Sequence, residues 1–374
     1  MPSLASRNLF HDKVRLVVTL TGIIFAVVLV SIQTGLFLGF STTTSNLIDH
    51  SGADLWVMSK GVRYIEVGVP FSEEKRYQLI GIPGVRTADK YIVRFSQWKQ
   101  PDGGEESAFV VGFNPETGLG GPWNLVQGST ADLKPEGNVI IDHFYQKKLS
   151  VTHRGQVVEM RGRRARIVGF TDGIRTFTTA PLVFTSFKNA LDYTSIPADQ
   201  TMFILVKARP GIDVEQLRRA IVARVANVDV LTTAEFSSKT TRYWMFGTGA
   251  GVTVLIAAVL GLIVGIVVVA QTIYAATIDH LREYGTLKAM GAPNSYIYRI
   301  ILQQALISAL IGYTAGMSIA IAVIELSKGS GPAIVLPDSV KAGLFLLTLF
   351  MCSSAAIVSI RKATNIDPAM VFKG

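Results

Sequence analysis

Four long apolar runs punctuate the chain, and the stretches between them are polar or alternate polar with apolar positions. The first run, LVVTLTGIIFAVVLVSIQTGLFLGF, covers Leu16–Phe40; the others cover Phe246–Ile273, Ile300–Ile324 and about Ala342–Ile360. Each holds about 20 or more nearly uncharged residues, enough for a helix to cross a bilayer. The first run is too long for the apolar region of a signal peptide, and no convincing small-x-small cleavage pattern follows it. It is expected to remain as a transmembrane helix. Four spans put both termini on one side of the membrane.

About 200 residues, Ser41 to Arg242, separate the first two runs and have the composition of a soluble domain of ordinary size. ADLWVMS predicts a strand, Ser72–Ile80 a helix, and RFSQWKQ and ESAFVVGF a hairpin around PDGGE. GQVVEMRGRRARIVGF and APLVFTSF alternate as half-buried strands do. TMFILVKARPGIDVEQLRRAIVARVANVDVLTTAEF predicts strand, helix, strand, with Asp213 as N-cap. The expected fold is an α-helical membrane protein with four transmembrane helices and a large extracytoplasmic α+β domain. That domain is a split α+β subdomain closed by distant segments, with a β subdomain inserted. The expected division is 1–40, 41–242 and 243–374.

Composition agrees with this pattern: 49% hydrophobic and 17% charged residues over 374 positions, with a positive mean hydropathy. The formal charge of +9 comes from scattered basic residues without an aromatic-interleaved nucleic-acid motif. Topology accounts for them. Arg7, Lys13 and Arg15, then Arg282, Lys288 and Arg299, then Arg361, Lys362 and Lys373 flank the runs on one face, whereas Lys328 and Lys341 opposite are balanced by Glu325 and Asp338. The positive-inside rule places both termini and the loop between runs two and three in the cytoplasm.

No G-x-x-x-x-G-K-[ST] loop occurs, and His11, His50, His143, His153 and His280 show no metal-ligand spacing. Cys352, the single cysteine, lies in an apolar run and is read as a packing residue. No catalytic or metal residues are expected; Asp142, His143 and Tyr145 in VIIDHFY are read as an ordinary strand end. Gly247, Gly251, Gly261 and Gly265 are expected at helix-packing positions, within the subunit or across a dimer. Gln33, Gln271, Gln303 and Gln304 either line a substrate path or bond to neighbouring helices near the span ends, the latter being the commoner arrangement and the one expected. Span centres nearly free of charge argue against a proton or ion path.

One charged segment, HLREYGTLKAMGAPNSYIYRI, sits between the second and third runs. Asp279–Met290 has good helix formers, apolar Leu281, Tyr284 and Leu287, and charged Arg282, Glu283 and Lys288 around them. Gly291 can end this helix and Pro293 can open the next. Such an element either lies among headgroups or docks a cytoplasmic partner and passes its movement into the spans.

REYGTLKAMGAPNSYIYRIILQQA, Arg282–Ala305, resembles the signature of the FtsX/MacB/LolC-like permeases of ABC transporters, R-E-x-G-x-L-K-A-x-G-A-x before the third membrane helix. ASRNLFHDKVRLVVTLTGIIFAVVL is similar to the family's N-terminal amphipathic helix and first span, and RKATNIDPAMVFKG to its cytoplasmic end. HSGADLWVMSKG and the chain length most resemble DevC-type permeases. The resemblance implies a permease subunit of the bacterial inner membrane with its large domain in the periplasm. Two such subunits pair, as a homodimer or with a paralogue. Each docks a separate ABC ATPase that uses ATP and Mg, and no cofactor is held by the permease itself. Closure of the ATPases moves the periplasmic domains. A lipid-like, peptide or small hydrophobic substrate is then exported, often through a periplasmic adaptor and an outer-membrane duct. The alternative within the family is an FtsX-like mechanical signal transmitter that controls an envelope hydrolase without transport. By carry-over, the coupling helix at 276–292 contributes Arg282, Glu283, Tyr284, Gly285, Leu287, Lys288, Ala289, Met290 and Gly291 to ATPase contact.

Overall fold

The computed structural model describes residues 13–279, 281–327 and 333–364. The N-terminal amphipathic segment with Arg7 and His11, then His280, Lys328, and the tail with Lys373 lie outside them. The described chain divides into two compact units, one from residues 13–38, 252–327 and 334–364 and the other from 39–251 with Ala333.

The first unit is a helical bundle. Its helices are the first part of α1 (Lys13–Asp49), α6 (Ala250–Asp279), the short α7 (Leu281–Ala289), α8 (Asn294–Ser327) and α9 (Asp338–Thr364). Four of them are long and apolar enough to cross a membrane. Their bounds differ from the apolar runs for local reasons. Gly249, at φ 78°, breaks the chain ahead of α6, so Phe246 belongs to a separate π-helical turn, Tyr243–Gly247. Apolar side chains do not attract one another strongly in lipid, so close backbone approach does the packing. On α6, a Cβ at Gly265 would stand 2.7 Å from Ala26, and one at Gly261 2.9 Å from Leu29. On α8, Gly312 meets Ile23 at 2.4 Å and Gly316 meets Val27 at 2.9 Å. Two small-x-x-x-small stripes therefore grip α1. The second, in GYTAG, carries the same signal in the sequence as the first.

The second unit is built on one large sheet. Its strands are β1 (Leu55–Ser59), β3 (Val85–Lys99), β4 (Glu105–Phe113), β5 (Leu125–Gln127), β6 (Asn138–Asp142), β7 (Val157–Met160), β8 (Arg163–Thr171), β9 (Leu182–Ser186), β11 (Phe203–Ala208) and β12 (Val228–Thr232), with β2 (Phe71–Ser72) and β10 (Gln200–Thr201) as a separate pair. Helices α2 (Glu74–Ile80), α3 (Phe187–Thr194), α4 (Val214–Arg224) and α5 (Thr233–Arg242) accompany them. The order β12-β1-β11-β3 is antiparallel throughout, so β1-α2-β3 and β11-α4-β12 are two interleaved split β-α-β units. Alternation sorts the two faces. Leu55, Val57, Ile204 and Val206 join Leu79, Leu217 and Ile221 from α2 and α4, whereas Trp56, Met58, Phe203 and Leu205 face the main core.

β3 is the shared element. Its first half pairs with β11 and its second with β4, so the strand starts at Val85, nine residues before the stretch expected from RFSQWKQ. The inserted subdomain is a ring: β7 pairs with β8 and with the end of β3, closing β3-β4-β9-β6-β8-β7. A two-residue turn, Arg161 (φ 47°) and Gly162 (φ 76°), joins β7 to β8. Asp213 caps α4 as expected, accepting from Glu215 N at 3.1 Å.

The first apolar run ends at Phe40, yet α1 stays helical to Asp49. Thr43 and Thr44 donate their hydroxyls to the carbonyls of Gly39 and Phe40 at 2.7 and 2.6 Å, which satisfies these polar groups within the helix. Leu47 and Ile48 then enter the main core of the second unit.

The glycine grip is directly testable. Gly312→Ala is expected to cost about 1–3 kcal/mol through overpacking against Ile23, read as a lowered melting temperature in detergent. Gly343→Ala, with nothing within 4 Å, should leave it unchanged or raise it. Equal melting behaviour of the two variants would show that α8 does not grip α1.

Candidate functional site

The segment between α6 and α8 is compact. α6 continues to Asp279, so the expected element at 276–292 contracts to a nine-residue α7 and its exit turn. That turn is a Schellman motif: Ala292 N donates to Leu287 O and Gly291 N to Lys288 O, both at 3.0 Å, with Gly291 at φ 92°. Two residues later Asn294 begins α8.

Leu287 packs against the bundle core and Gly285 is buried, so this side of α7 is seated on the spans. Glu283, Ala289, Met290 and Gly291 are exposed, Met290 at 72%, and Lys288 is half-buried. The side chains of Arg282 and Tyr284 lie outside the described residues. The arrangement is a small helix with one face anchored and one face presented, held at a fixed angle to the next span by its cap.

The other sequence-predicted residues divide. Gly261 and Gly265 stand against α1. Gly247 and Gly251 do not lie between helices: a Cβ at Gly247 would meet the Tyr243 ring at 3.3 Å, and one at Gly251 the Met245 backbone at 2.7 Å, because both sit where the π-helical turn folds on itself. Gln33, Gln303 and Gln304 are half-buried and Gln271 is exposed. None forms a side-chain hydrogen bond among the described residues, in contrast to the expected interhelical bonds.

Asp142, His143 and Tyr145 turn to separate partners. Asp142 is buried and accepts from Thr171 Oγ1 and Ile174 N, each at 2.8 Å, and from Phe144 N at 3.0 Å. His143 bonds Gln146 and stacks on Phe170, and the Tyr145 hydroxyl accepts from Thr176 N. The group clasps the end of β6 to the loop after β8.

An aromatic joint has no signature along the chain, because its members come from four distant segments. Phe40 packs on Phe177, Phe177 on Trp244, and Tyr243 stacks on Tyr64 with centroids 4.0 Å apart. Trp244 Nε1 donates to Glu66 Oε2 at 3.2 Å. Burial pushes the Glu66 carboxyl up to about 7, and its backbone and Trp244 hydrogen bonds offset only part of that rise.

Four helices long and apolar enough to cross a membrane, a short helix between two of them and a large α+β unit suit a polytopic membrane protein with one large domain outside the bilayer. The model for the MacB-like periplasmic core domain matches residues 16–224, and that for the FtsX-like permease C-terminal region matches residues 255–368. The chain belongs to the FtsX/MacB-type family of ABC transporter permeases. Membership of a family of ABC transporter permeases implies an ATPase partner. The chain is similar to the uncharacterised ABC transporter permease Rv0072 of Mycobacterium tuberculosis, 27% identical over 377 residues and 99% of each chain. Similarity to a second from that organism, Rv2563, is 26% over 376 residues and again 99% of each. Among solved structures, the periplasmic region of MacB from Actinobacillus actinomycetemcomitans aligns with 52% of this chain and 96% of its own, at 10% identity and a TM-score of 0.40. The extracellular domain of the noncanonic ABC-type transporter YknZ from Gram-positive bacteria aligns with 48% and 98%, at 14% and 0.37.

The Glu66 carboxyl carries a pH signature. Its folded value lies above the ordinary 4.5, so its contribution to stability is fully present below about pH 4.5 and is lost as pH rises through about 7. Glu66→Gln should remove that slope. The melting temperature of the variant relative to wild type should climb between about pH 4.5 and 8; a difference constant over that range would show that Glu66 is not the titrating group.

Proposed function

We propose that this chain is the permease subunit of an ABC exporter, in which a separate ATPase docks on α7 and its closure is passed through the spans to the extracytoplasmic domain. The observation that carries this reading is the seated and capped α7. A Schellman turn between Leu287 and Ala292 and an immediate start of α8 leave no slack, so a push on Met290 or Ala289 moves the span with it. Termini and α7 face the cytoplasm by the positive-inside rule. ATP and Mg belong to the partner.

Two further features support transmission without a central pore. Span centres lack charged side chains. α1 and the turn leading into α6 both join the second unit, the former through Leu47 and Ile48 and the latter through Trp244 and Tyr243. Gln33, Gln303 and Gln304, half-buried and without a side-chain hydrogen bond among the described residues, favour pairing with a second permease subunit. An external domain of two subdomains suits an exporter that grips a substrate or an adaptor, and the substrate class is lipid-like, peptide or small hydrophobic. Within the family, HSGADLWVMSKG and the chain length favour the DevC-type permeases.

Charge reversal tests the docking face. Glu283→Lys and Lys288→Glu are expected to reduce co-purification of an ABC ATPase with the tagged chain by about tenfold or more, while insertion and melting temperature stay at wild-type values. If both variants retain the ATPase in equal ratio and its hydrolysis rate, α7 is a lipid-facing helix instead.

A further inference from the structure

A groove of about 790 Å3 opens beside the start of the second membrane helix, lined by Arg63, Ser238, Lys239, Arg242, Tyr243 and Phe246. Two separate segments bring its cations together: Arg63 from the loop after β1, and Lys239 and Arg242 from the last turn of α5. None of the three forms an ion pair or side-chain hydrogen bond among the described residues. The one acidic side chain on the wall, Glu235, is already engaged, since its Oε2 accepts from Thr232 N at 2.9 Å and closes the capping box of α5. Three cations thus share one open cavity with a single carboxylate, an excess of positive charge that an anion relieves.

The shape of the groove narrows the anion. Arginine forks match phosphate oxygens bidentately, and Ser238 adds a hydroxyl donor. The same wall carries Phe246, 59% exposed, and the ring of Tyr243. A free phosphate gains nothing from these rings, whereas a lipid has a glycerol and acyl portion to lay against them. Phe246 stands four residues before Ala250, where the apolar span begins, so the chain confines it to about 14 Å from that helix end. Aromatic side chains at such a position are those that meet headgroups at either face of a membrane.

We propose that this groove binds the phosphate headgroup of an anionic phospholipid, with Arg63, Lys239 and Arg242 on the phosphate and Phe246 against the lipid body. The inference rests on membrane insertion of the chain and is independent of whether an ATPase docks on α7.

The test is lipid retention by the full chain in detergent, read by native mass spectrometry during titration with phosphatidylglycerol or phosphatidylcholine. Wild type should retain phosphatidylglycerol in preference to phosphatidylcholine, whose ammonium group cancels the headgroup charge. The double variant Lys239→Gln/Arg242→Gln should weaken phosphatidylglycerol retention about tenfold or more, and Lys239→Arg should keep it. Arg63→Gln, on the opposite wall and outside any helix, should give a smaller loss and serves if the double variant does not fold. Undiminished retention in a folded double variant, or in Arg63→Gln when the double variant is unfolded, would overturn the site. Equal retention of both lipids would overturn its charge selectivity. Complete displacement of phosphatidylglycerol by excess inorganic phosphate would make the groove a simple anion site and overturn the lipid assignment.

Discussion

Backbone hydrogen bonds within a bilayer must be made inside the helix that carries them, and α1 extends that self-sufficiency past the membrane. Its apolar part is gripped by glycines of α6 and α8, and in its polar part threonine hydroxyls are satisfied by carbonyls of the preceding turn. Leu47 and Ile48 then commit the same helix to the core of the second unit. One continuous helix therefore has side chains in both cores, and each core holds its share by a different force. Close van der Waals contact serves in the bundle; removal of apolar surface from water serves in the domain.

The turn into α6 mirrors this arrangement by other means. There the backbone breaks at Gly249, and an aromatic joint takes over from helical continuity: Tyr243 stacks on Tyr64, and Trp244 packs on Phe177 while donating to Glu66. Phe40 of α1 touches the same Phe177. The two chain segments leading into the second unit thus share one cluster, with the half-buried Glu66 carboxyl at its edge. The short α7 is held by a cap instead of a cluster.

Much of the architecture was legible in the chain. Spans stood out because lipid demands long uncharged runs, and the strands and the α4 cap because alternation and Asp213 act locally. Helix ends were less legible. Phe246 belongs to the π-helical turn and α1 outlasts its apolar run, because both ends are set by neighbours in space. At the candidate coupling site, Gly291 and Pro293 announced the cap, and Leu287 its anchored side. Gly247 and Gly251 shared the spacing of Gly261 and Gly265 but not their surroundings, since spacing alone does not distinguish a glycine facing another helix from one facing its own turn.

By itself, then, the sequence determined what depends on near neighbours and on solvent: four apolar helices, a polar insert of strands and helices, a capped helix between two spans, and the motif that marks the family. Tertiary structure decided what depends on residues far apart in the chain. It closed the inserted strands into a ring through the pairing of β7 with β3. It gathered Phe40, Tyr64, Phe177 and Trp244 into one joint, and it set Arg63, Lys239 and Arg242 around one cavity with a single carboxylate among them. Packing and electrostatics act through space with no fixed sequence separation, so no pattern along the chain records them.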